Sequence, residues 1–386
     1  MRHFDFLDDA DRERLFHRAP EHFDVSDDPA LLAVALGATL YSPATRPRLA
    51  DDIAVRAAQG VTSVVVCLED SIADGDLVPA EQNTLAQLRR YARTGRRGPL
   101  IFVRVRTAAQ IPMIVDGLGE HVGVLAGFVL PKFTDACGPE YLDTVAAASE
   151  VIGRELLVMP VLESAEISFA ETRIETLMAV RRLLDKHRDR VLAVRLGATD
   201  LSAVYGLRRS RDLTVYDVRI IADVIADVVN IFGRTNGSEY VVTGPVWEYF
   251  SGTERMFKPQ LRETVFIEHS ERKLRAELIA RDLDGLIREV ALDRANGLTG
   301  KTVIHPSHVS AVHALSVVAH EEYADAHDIV GTRAGGGVAS SAYRNKMNES
   351  KPHAAWAERT LLRARVFGVA REGVSFVDLL AATLHQ

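Results

Sequence analysis

Two carboxylates are placed to do chemistry. Glu163 in VMPVLESAEI and Asp200 in VLAVRLGATDLS each follow directly on a short, apolar, β-branched run, the pattern of a strand buried on both faces in a parallel sheet. A helical stretch separates the two runs, so both acids project from the carboxyl ends of neighbouring strands, roughly 5 Å apart by the standard strand spacing. Two such acids can hold one hard divalent cation. The competing reading is that each caps the helix that follows, where acids are favourable. That reading explains one such acid more easily than two on adjacent strand ends.

Other strand-like runs also deliver polar groups at their ends: LYSPATRPR, VVVCLEDS, IFVRVRT, GFVLPKF and TVIHPSH. Arg104 carries a planar guanidinium that can grip a carboxylate through two hydrogen bonds and offset charge on an enolate oxygen. Its structural alternative is an inward arginine paired with Glu69 or Glu163. Glu69 and Asp70 are paired carboxylates able to orient Arg104, or to move a proton if one raises the pKa of the other. Lys132 can pair with a substrate carboxylate or with the acids; a Schiff-base role is less economical where an acid pair already holds an electron-withdrawing ion. Arg46, Arg48 and Arg106 are available to bind anionic parts of a substrate, and His305, with Pro306 fixing its turn, can touch substrate or anchor its loop. Cys67 precedes the polar residues and reads as a small core side chain.

These residues must be positioned by the elements they terminate. Eight strand-like runs, at residues 38–41, 63–68, 100–105, 127–130, 156–162, 192–196, 240–243 and 302–304, alternate with amphipathic stretches such as 48–59, 80–93, 140–152, 169–187, 215–232 and 268–294. That alternation predicts a (β/α)₈ barrel over residues 38–320, with chemistry at the carboxyl ends of the strands. An open doubly wound sheet is the alternative, but no glycine-rich dinucleotide fingerprint follows the first strand. Residues 1–37 form a charged extension that could cover the barrel bottom or serve an oligomer contact. Residues 321–386 form a C-terminal helical segment interrupted by the glycine run Gly335, Gly336 and Gly337, a hinge that would let the tail beyond it act as a lid or reach a neighbouring subunit.

The chain has 386 residues, 47% of them hydrophobic, enough for a large core. Its formal charge of −7, with acids and bases interspersed, argues against nucleic acid or an anionic membrane as main partner. Two cysteines, Cys67 and Cys137, form neither a disulfide framework nor a metal cluster. No run reaches the length of a membrane span and the acidic start lacks an export core, so a cytoplasmic location is expected.

Taken in order, LYSPATRP, CLEDS, FVRVR, LPK, LES, LGATDL followed by YG, and GKTVIHPSHV resemble the citrate lyase β-subunit-like group of the HpcH/HpaI aldolases, and more loosely its subgroup beside tellurite-resistance and stress genes. The resemblance implies a TIM barrel that makes or breaks a carbon–carbon bond, by retro-aldol or Claisen-type chemistry, through a metal-stabilised enolate of a 2-oxo acid or its acyl or CoA adduct. It implies Mg²⁺, with Mn²⁺ as a substitute, held by Glu163 and Asp200. Arg104, Glu69, Asp70 and Lys132 would be catalytic, and Arg46, Arg106, Lys132 and His305 substrate-binding. CoA-using relatives carry a tail acid that closes over a neighbour's site, which Glu349 in NKMNES resembles. Cys67 stands where the family's motif has an aspartate, and Arg106 where relatives usually carry an asparagine, which points to altered hydrogen bonding and a more anionic substrate. A homo-oligomer, trimer or hexamer, is also implied. Decarboxylation or thioester hydrolysis at the same site, and a non-catalytic metabolite-binding subunit of a stress-response complex, are the alternatives.

Overall fold

In the computed structural model of the chain, eight parallel strands close on themselves in sequence order. They are β1 (Ala38–Pro43), β2 (Ser63–Cys67), β3 (Leu100–Arg104), β4 (Leu125–Leu130), β5 (Leu157–Leu162), β6 (Val194–Leu196), β7 (Val242–Trp247) and β8 (Lys301–Val303). The structure describes residues 1–250, 261–280, 283–332 and 336–384. Each predicted strand is present, shifted by a few residues at its ends. The closed ring, with β8 paired to both β1 and β7, excludes the open sheet.

The strands read as continuous apolar runs because both of their faces are buried. Val65, Phe102, Val129, Met159 and Val161 form one cluster inside the barrel, while Leu40, Val64, Val66, Val103 and Phe128 join the cluster shared with the helices. Those helices are α1 (Leu49–Ala58), α2 (Leu77–Ala92), α3 (Gln110–Leu118), α4 (Gly138–Ile152), α5 (Ala170–Asp185), α6 (Arg219–Phe232), α7 (Leu283–Ala295) and α8 (Ser307–Ser316). In α6 the buried residues Ile221, Val224, Ile225, Val228 and Ile231 recur at the spacing of one helical face. The α7 helix is pinned to the barrel by Lys301, whose Nζ lies 2.9 Å from Glu289 and 2.7 Å from Asp293. Gly244 permits this approach, since a Cβ there would stand 2.5 Å from Asp293 Oδ2.

The stretch expected as one crossover helix over residues 268–294 is instead divided into Glu263–Glu268, Arg272–Ala280 and α7. At the carboxyl end, the single expected helix is preceded by a hairpin of Val338–Ser340 with Met347–Glu349; the helix itself spans Ala354–Phe367 and a further one spans Phe376–Leu384. Gly335 of the glycine run lies outside the described residues.

The two termini meet at the amino ends of the strands. The short helix Pro29–Ala35 buries Leu31 to Ala35, and its Leu32 clusters with Phe102, Met159 and Phe367 beneath the barrel interior. His3 stacks on Phe367 with centroids 4.2 Å apart and meets His313 of α8 edge-on at 4.5 Å. Strand Phe16–Arg18 pairs with Val369–Ala370. The bottom is therefore sealed and the opposite rim carries the polar loops. No helix among the described residues is long and apolar enough to cross a membrane.

Candidate functional site

Two residues beyond the register pair Val161 and Arg195, the loops after β5 and β6 bring Glu163 against Gly197. A Cβ on Gly197 would lie 2.2 Å from Glu163 Oε2, so only glycine leaves room for that carboxylate. Asp200 sits in the first turn of the short helix Ala198–Ala203. Asp70, from the loop after β2, joins them: one oxygen from each of Asp70, Glu163 and Asp200 lies within 4.8 Å of the others, and the three could hold a metal ion. The sequence paired only Glu163 with Asp200; Asp70 comes from a strand far off in the chain, and its approach follows from barrel closure.

Two cations are threaded through the acids. Arg104, at the end of β3, places Nη2 2.8 Å from Glu163 Oε1, 2.7 Å from Glu69 Oε2 and 3.1 Å from Asp70 Oδ2. Its Nε is buried without a hydrogen-bond partner. Lys132, after β4, places Nζ 2.5 Å from Glu69 and 3.2 Å from Asp70, while its backbone N–H donates to Glu163 Oε1 at 2.9 Å. That donation requires φ of +47° at Lys132, a left-handed conformation that costs a non-glycine residue on the order of 1 kcal/mol.

Burial first, then repulsion from Asp200, pushes Glu163 up to about 7 despite the opposing Arg104. Burial and Asp70 also raise Asp200. Glu69 is raised by burial and by its hydrogen bond with Asp70, whereas Asp70 is lowered, its own burial outweighed by Glu69, Arg104 and Lys132. Burial opposes charge on Arg104 and Lys132, but their acid neighbours raise both. Four carboxyls against two cations leave two negative charges uncompensated, the charge of one dication, and all the donors are hard oxygens of the kind Mg²⁺ prefers.

The remaining predicted residues lie outside this cluster. Arg106 braces the loop after β2, donating to Ile72 O at 2.6 Å and pairing with Asp74 at 2.6 Å. Arg46 pairs with Asp52 at 2.6 Å and, with His305, lines a half-open cavity of about 470 Å³ between β1, β8 and α1. His305 contacts Ser307 Oγ at 2.7 Å and stacks on Phe250. Arg48 faces solvent beside Asp51. Glu349 is on the C-terminal hairpin, exposed, with its backbone N–H donating to His353; the hairpin packs on the helix His320–Thr332 through Asn348 and Asp325.

Three further residues escaped sequence reading. Arg195 and Tyr41 lie inside the barrel, and the only signal was an arginine within the apolar run VLAVRL. Glu248 follows β7 and accepts from Thr199 Oγ1 at 3.2 Å; the apolar run places the end of the seventh strand at residue 243, whereas β7 continues to Trp247 and its rim lies four residues further on.

The arrangement can bind a dication and steer an anion onto Arg104 and Lys132. The model of carbon–carbon bond lyases of the TIM-barrel fold matches residues 30–369. No curated protein matches the chain. Among solved structures, a citrate lyase from Burkholderia xenovorans LB400 is similar at 16% identity and a TM-score of 0.61, covering 89% of this chain and 96% of its own. The CitE protein of Mycobacterium tuberculosis, in complex with magnesium, acetoacetate and coenzyme A, is similar at 20% identity and 0.51, covering 86% of this chain and 99% of its own. Haloferax volcanii malate synthase with magnesium and glyoxylate is similar at 12% identity and 0.50, covering 71% of this chain and 73% of its own. At these identities the structures share the fold; with the family model spanning the whole barrel, the chain belongs to the carbon–carbon bond lyases of the TIM-barrel fold.

Proposed function

We propose that this lyase is Mg²⁺-dependent and cleaves or forms a carbon–carbon bond next to the carbonyl of a 2-oxo acid or its acyl-CoA adduct. The observation that carries the reading is the convergence of Asp70, Glu163 and Asp200 to within 4.8 Å at the rim, with Arg104 gripping Glu163 beside them. Magnesium and small acids in CitE and in malate synthase on the same fold support it. A dication bound by these three carboxylates supplies Lewis-acid stabilisation for negative charge developing on a keto oxygen.

The chain's own residues do the rest. Arg104 has three carboxylate partners and exchanges one of them for the substrate carboxylate, so the guanidinium is already oriented when charge develops. Lys132 adds a second donor on the same side and holds Glu69 and Asp70 in place. In the cleavage direction a rim carboxylate accepts the substrate's hydroxyl proton. The electron pair of the breaking bond passes to the carbonyl-bearing fragment, and the resulting enolate takes a proton on carbon. Glu69 and Asp70, displaced in opposite directions by their surroundings, form an acid and base pair suited to that transfer. The tail acid Glu349 would act only across a subunit boundary in a homo-oligomer, and the site accepts Mn²⁺ in place of Mg²⁺ by the same donor chemistry.

The test is a screen of oxaloacetate, pyruvate and glyoxylate, each with and without acyl-CoA partners, for carbon–carbon cleavage or condensation, together with crystals soaked in Mg²⁺ and oxalate. Turnover that stops on chelation and returns with Mg²⁺, and an ion at Glu163 and Asp200, are expected. Turnover that survives chelation, or metal and oxalate bound away from that rim, would overturn the reading.

A further inference from the structure

Beneath the carboxylate rim the barrel interior holds a charge that neither the metal nor the acids explain. Arg195 of β6 is 1% exposed, and no carboxylate pairs with it among the described residues. Its Nη2 donates to Thr302 Oγ1 at 2.6 Å, its Nη1 approaches Thr39 Oγ1 at 3.4 Å and Met159 Sδ at 3.5 Å, and its Nε has no partner. The ring of Tyr41 covers the guanidinium, with Cζ 5.5 Å from the ring centroid. A buried guanidinium surrounded by hydroxyls, a thioether and an aromatic face is costly, because these neutral groups return only part of the hydration it has lost and no carboxylate offsets its charge. A barrel core of the same volume needs no such charge, and leucine or methionine would fill it.

Register fixes where that charge acts. Arg195 pairs with Val161, and Glu163 lies two residues further along on the same face, about 7 Å up the strand. Burial, opposed by Tyr41 and joined by the neighbouring Arg104, lowers Arg195, yet a guanidinium keeps its proton at neutral pH. With a dication in place, the four rim carboxyls, Arg104 and Lys132 sum to neutrality. Arg195 then leaves the loaded site with one net positive charge, held inside the barrel against Thr39, Thr302 and Tyr41.

We propose that Arg195 is a specificity-determining residue, a fixed cation one side-chain layer below the rim that makes the loaded site prefer ligands with two negative charges over ligands with one. This rests on the metal site proposed above and adds to it the charge class of the substrate. At a separation of roughly 7 to 10 Å in a partly buried setting, one extra ligand charge is worth on the order of tenfold in affinity. Arg195 need not touch the ligand; it acts through the field and through Tyr41, which it holds in place.

Oxalate and oxamate provide the probe, since they are nearly isosteric and differ by one charge. The quantity is the ratio of their dissociation constants in the presence of saturating Mg²⁺, measured calorimetrically without turnover. In the unmodified protein the preference for oxalate is expected to exceed, by about tenfold, the preference of free Mg²⁺ for oxalate in water. Arg195→Met and Arg195→Gln are expected to remove that excess, and Arg195→Lys to keep most of it, with melting temperatures recorded for all. A purely packing role would change melting temperature and weaken both ligands alike. An oxalate preference in the unmodified protein no greater than in water overturns the proposal even if no variant folds. So does an unchanged ratio in a folded Arg195→Met protein. Failure of both ligands to bind with Mg²⁺ would instead defeat the metal site itself.

Discussion

Metal binding at the rim should be coupled to a proton, and the size of the coupling follows from Glu163. Its carboxyl is 4% exposed and is pushed up to about 7 by burial and by Asp200, from an ordinary 4.5. At about 1.4 kcal/mol per pH unit, that displacement means the empty site disfavours the charged form by ~3 kcal/mol. In the proposed metal site the ligand is the carboxylate, so the ion must displace the proton. The sign follows: affinity for Mg²⁺ rises as pH rises through 7 and levels off above it. At pH 6 about nine in ten Glu163 side chains carry the proton and at pH 8 about one in ten, so apparent affinity should fall about tenfold between pH 8 and pH 6. Asp200, displaced in the same direction, can only steepen the trend. Calorimetric titration with Mg²⁺ at pH 6, 7 and 8, in two buffers of different ionisation heat, measures both affinity and protons released. Close to one proton per ion at pH 6, and almost none at pH 8, is expected. Glu163→Gln should flatten the profile. Equal affinity at pH 6 and pH 8 in the unmodified protein, with no buffer-dependent heat, would refute the premise that Glu163 is both buried among acids and a ligand.

Gly197→Ala tests the same carboxylate without altering any charged group: the new Cβ would sit 2.2 Å from Glu163 Oε2 and 2.4 Å from its Cβ, so the loops after β5 and β6 must move apart and carry Glu163 from its place, and Mg²⁺ affinity measured by the same calorimetry is expected to fall ten- to a hundredfold while the far-ultraviolet spectrum stays that of the barrel. Acid stability tests the sealed bottom. His313 is buried and held down to about 3 by loss of hydration; above pH 6.5 it contributes no pH dependence, and as pH falls from 6.5 toward 3 the unfolded chain takes up a proton the folded chain refuses, at about 1.4 kcal/mol per unit. His313→Asn should therefore lose ~2 kcal/mol less than the unmodified protein between pH 7.5 and pH 5 in denaturant unfolding, and equal losses would remove His313 from the account.

The barrel was legible in the sequence because of how its strands are buried. Runs such as VVVC and LVMPVL are apolar at every position, since one face meets the interior and the other the helices. Their ends were marked by the first charged residues the core could not accept. That is why Glu69, Arg104, Lys132, Glu163 and Asp200 could be named in advance, and why all of them meet at the rim. Partners were harder to see. Strand periodicity reveals which residues lie at one height but not which oxygens turn toward each other, so Asp70 was assigned support rather than a place beside Glu163 and Asp200. Arg106 and Arg104 are alike on paper, two positions apart, but the strand ends at Arg104, and beyond it Arg106 is held by the loop after β2 through Ile72 and Asp74. The C-terminal hairpin was missed because both of its strands are largely exposed and carry no alternating pattern.

What distinguishes the rim from the rest of the molecule is where local physical costs accumulate. Lys132 adopts a left-handed backbone while its N–H donates to Glu163, Arg104 leaves Nε unpartnered, Glu163 is driven by burial and by neighbouring acids to hold its proton near neutrality, and Arg195 remains charged below them with no acid in contact. Away from the rim, buried Lys301 is answered by Glu289 and Asp293, and in α6 and β5 propensity, apolar pattern and packing agree. Each departure could be removed by an ordinary substitution without disturbing the fold, and a barrel under pressure for stability alone would be expected to lack them. Their convergence on one end of the barrel, and on the two charges a dication would neutralise, is therefore better explained by what the site must bind than by what holds the chain together.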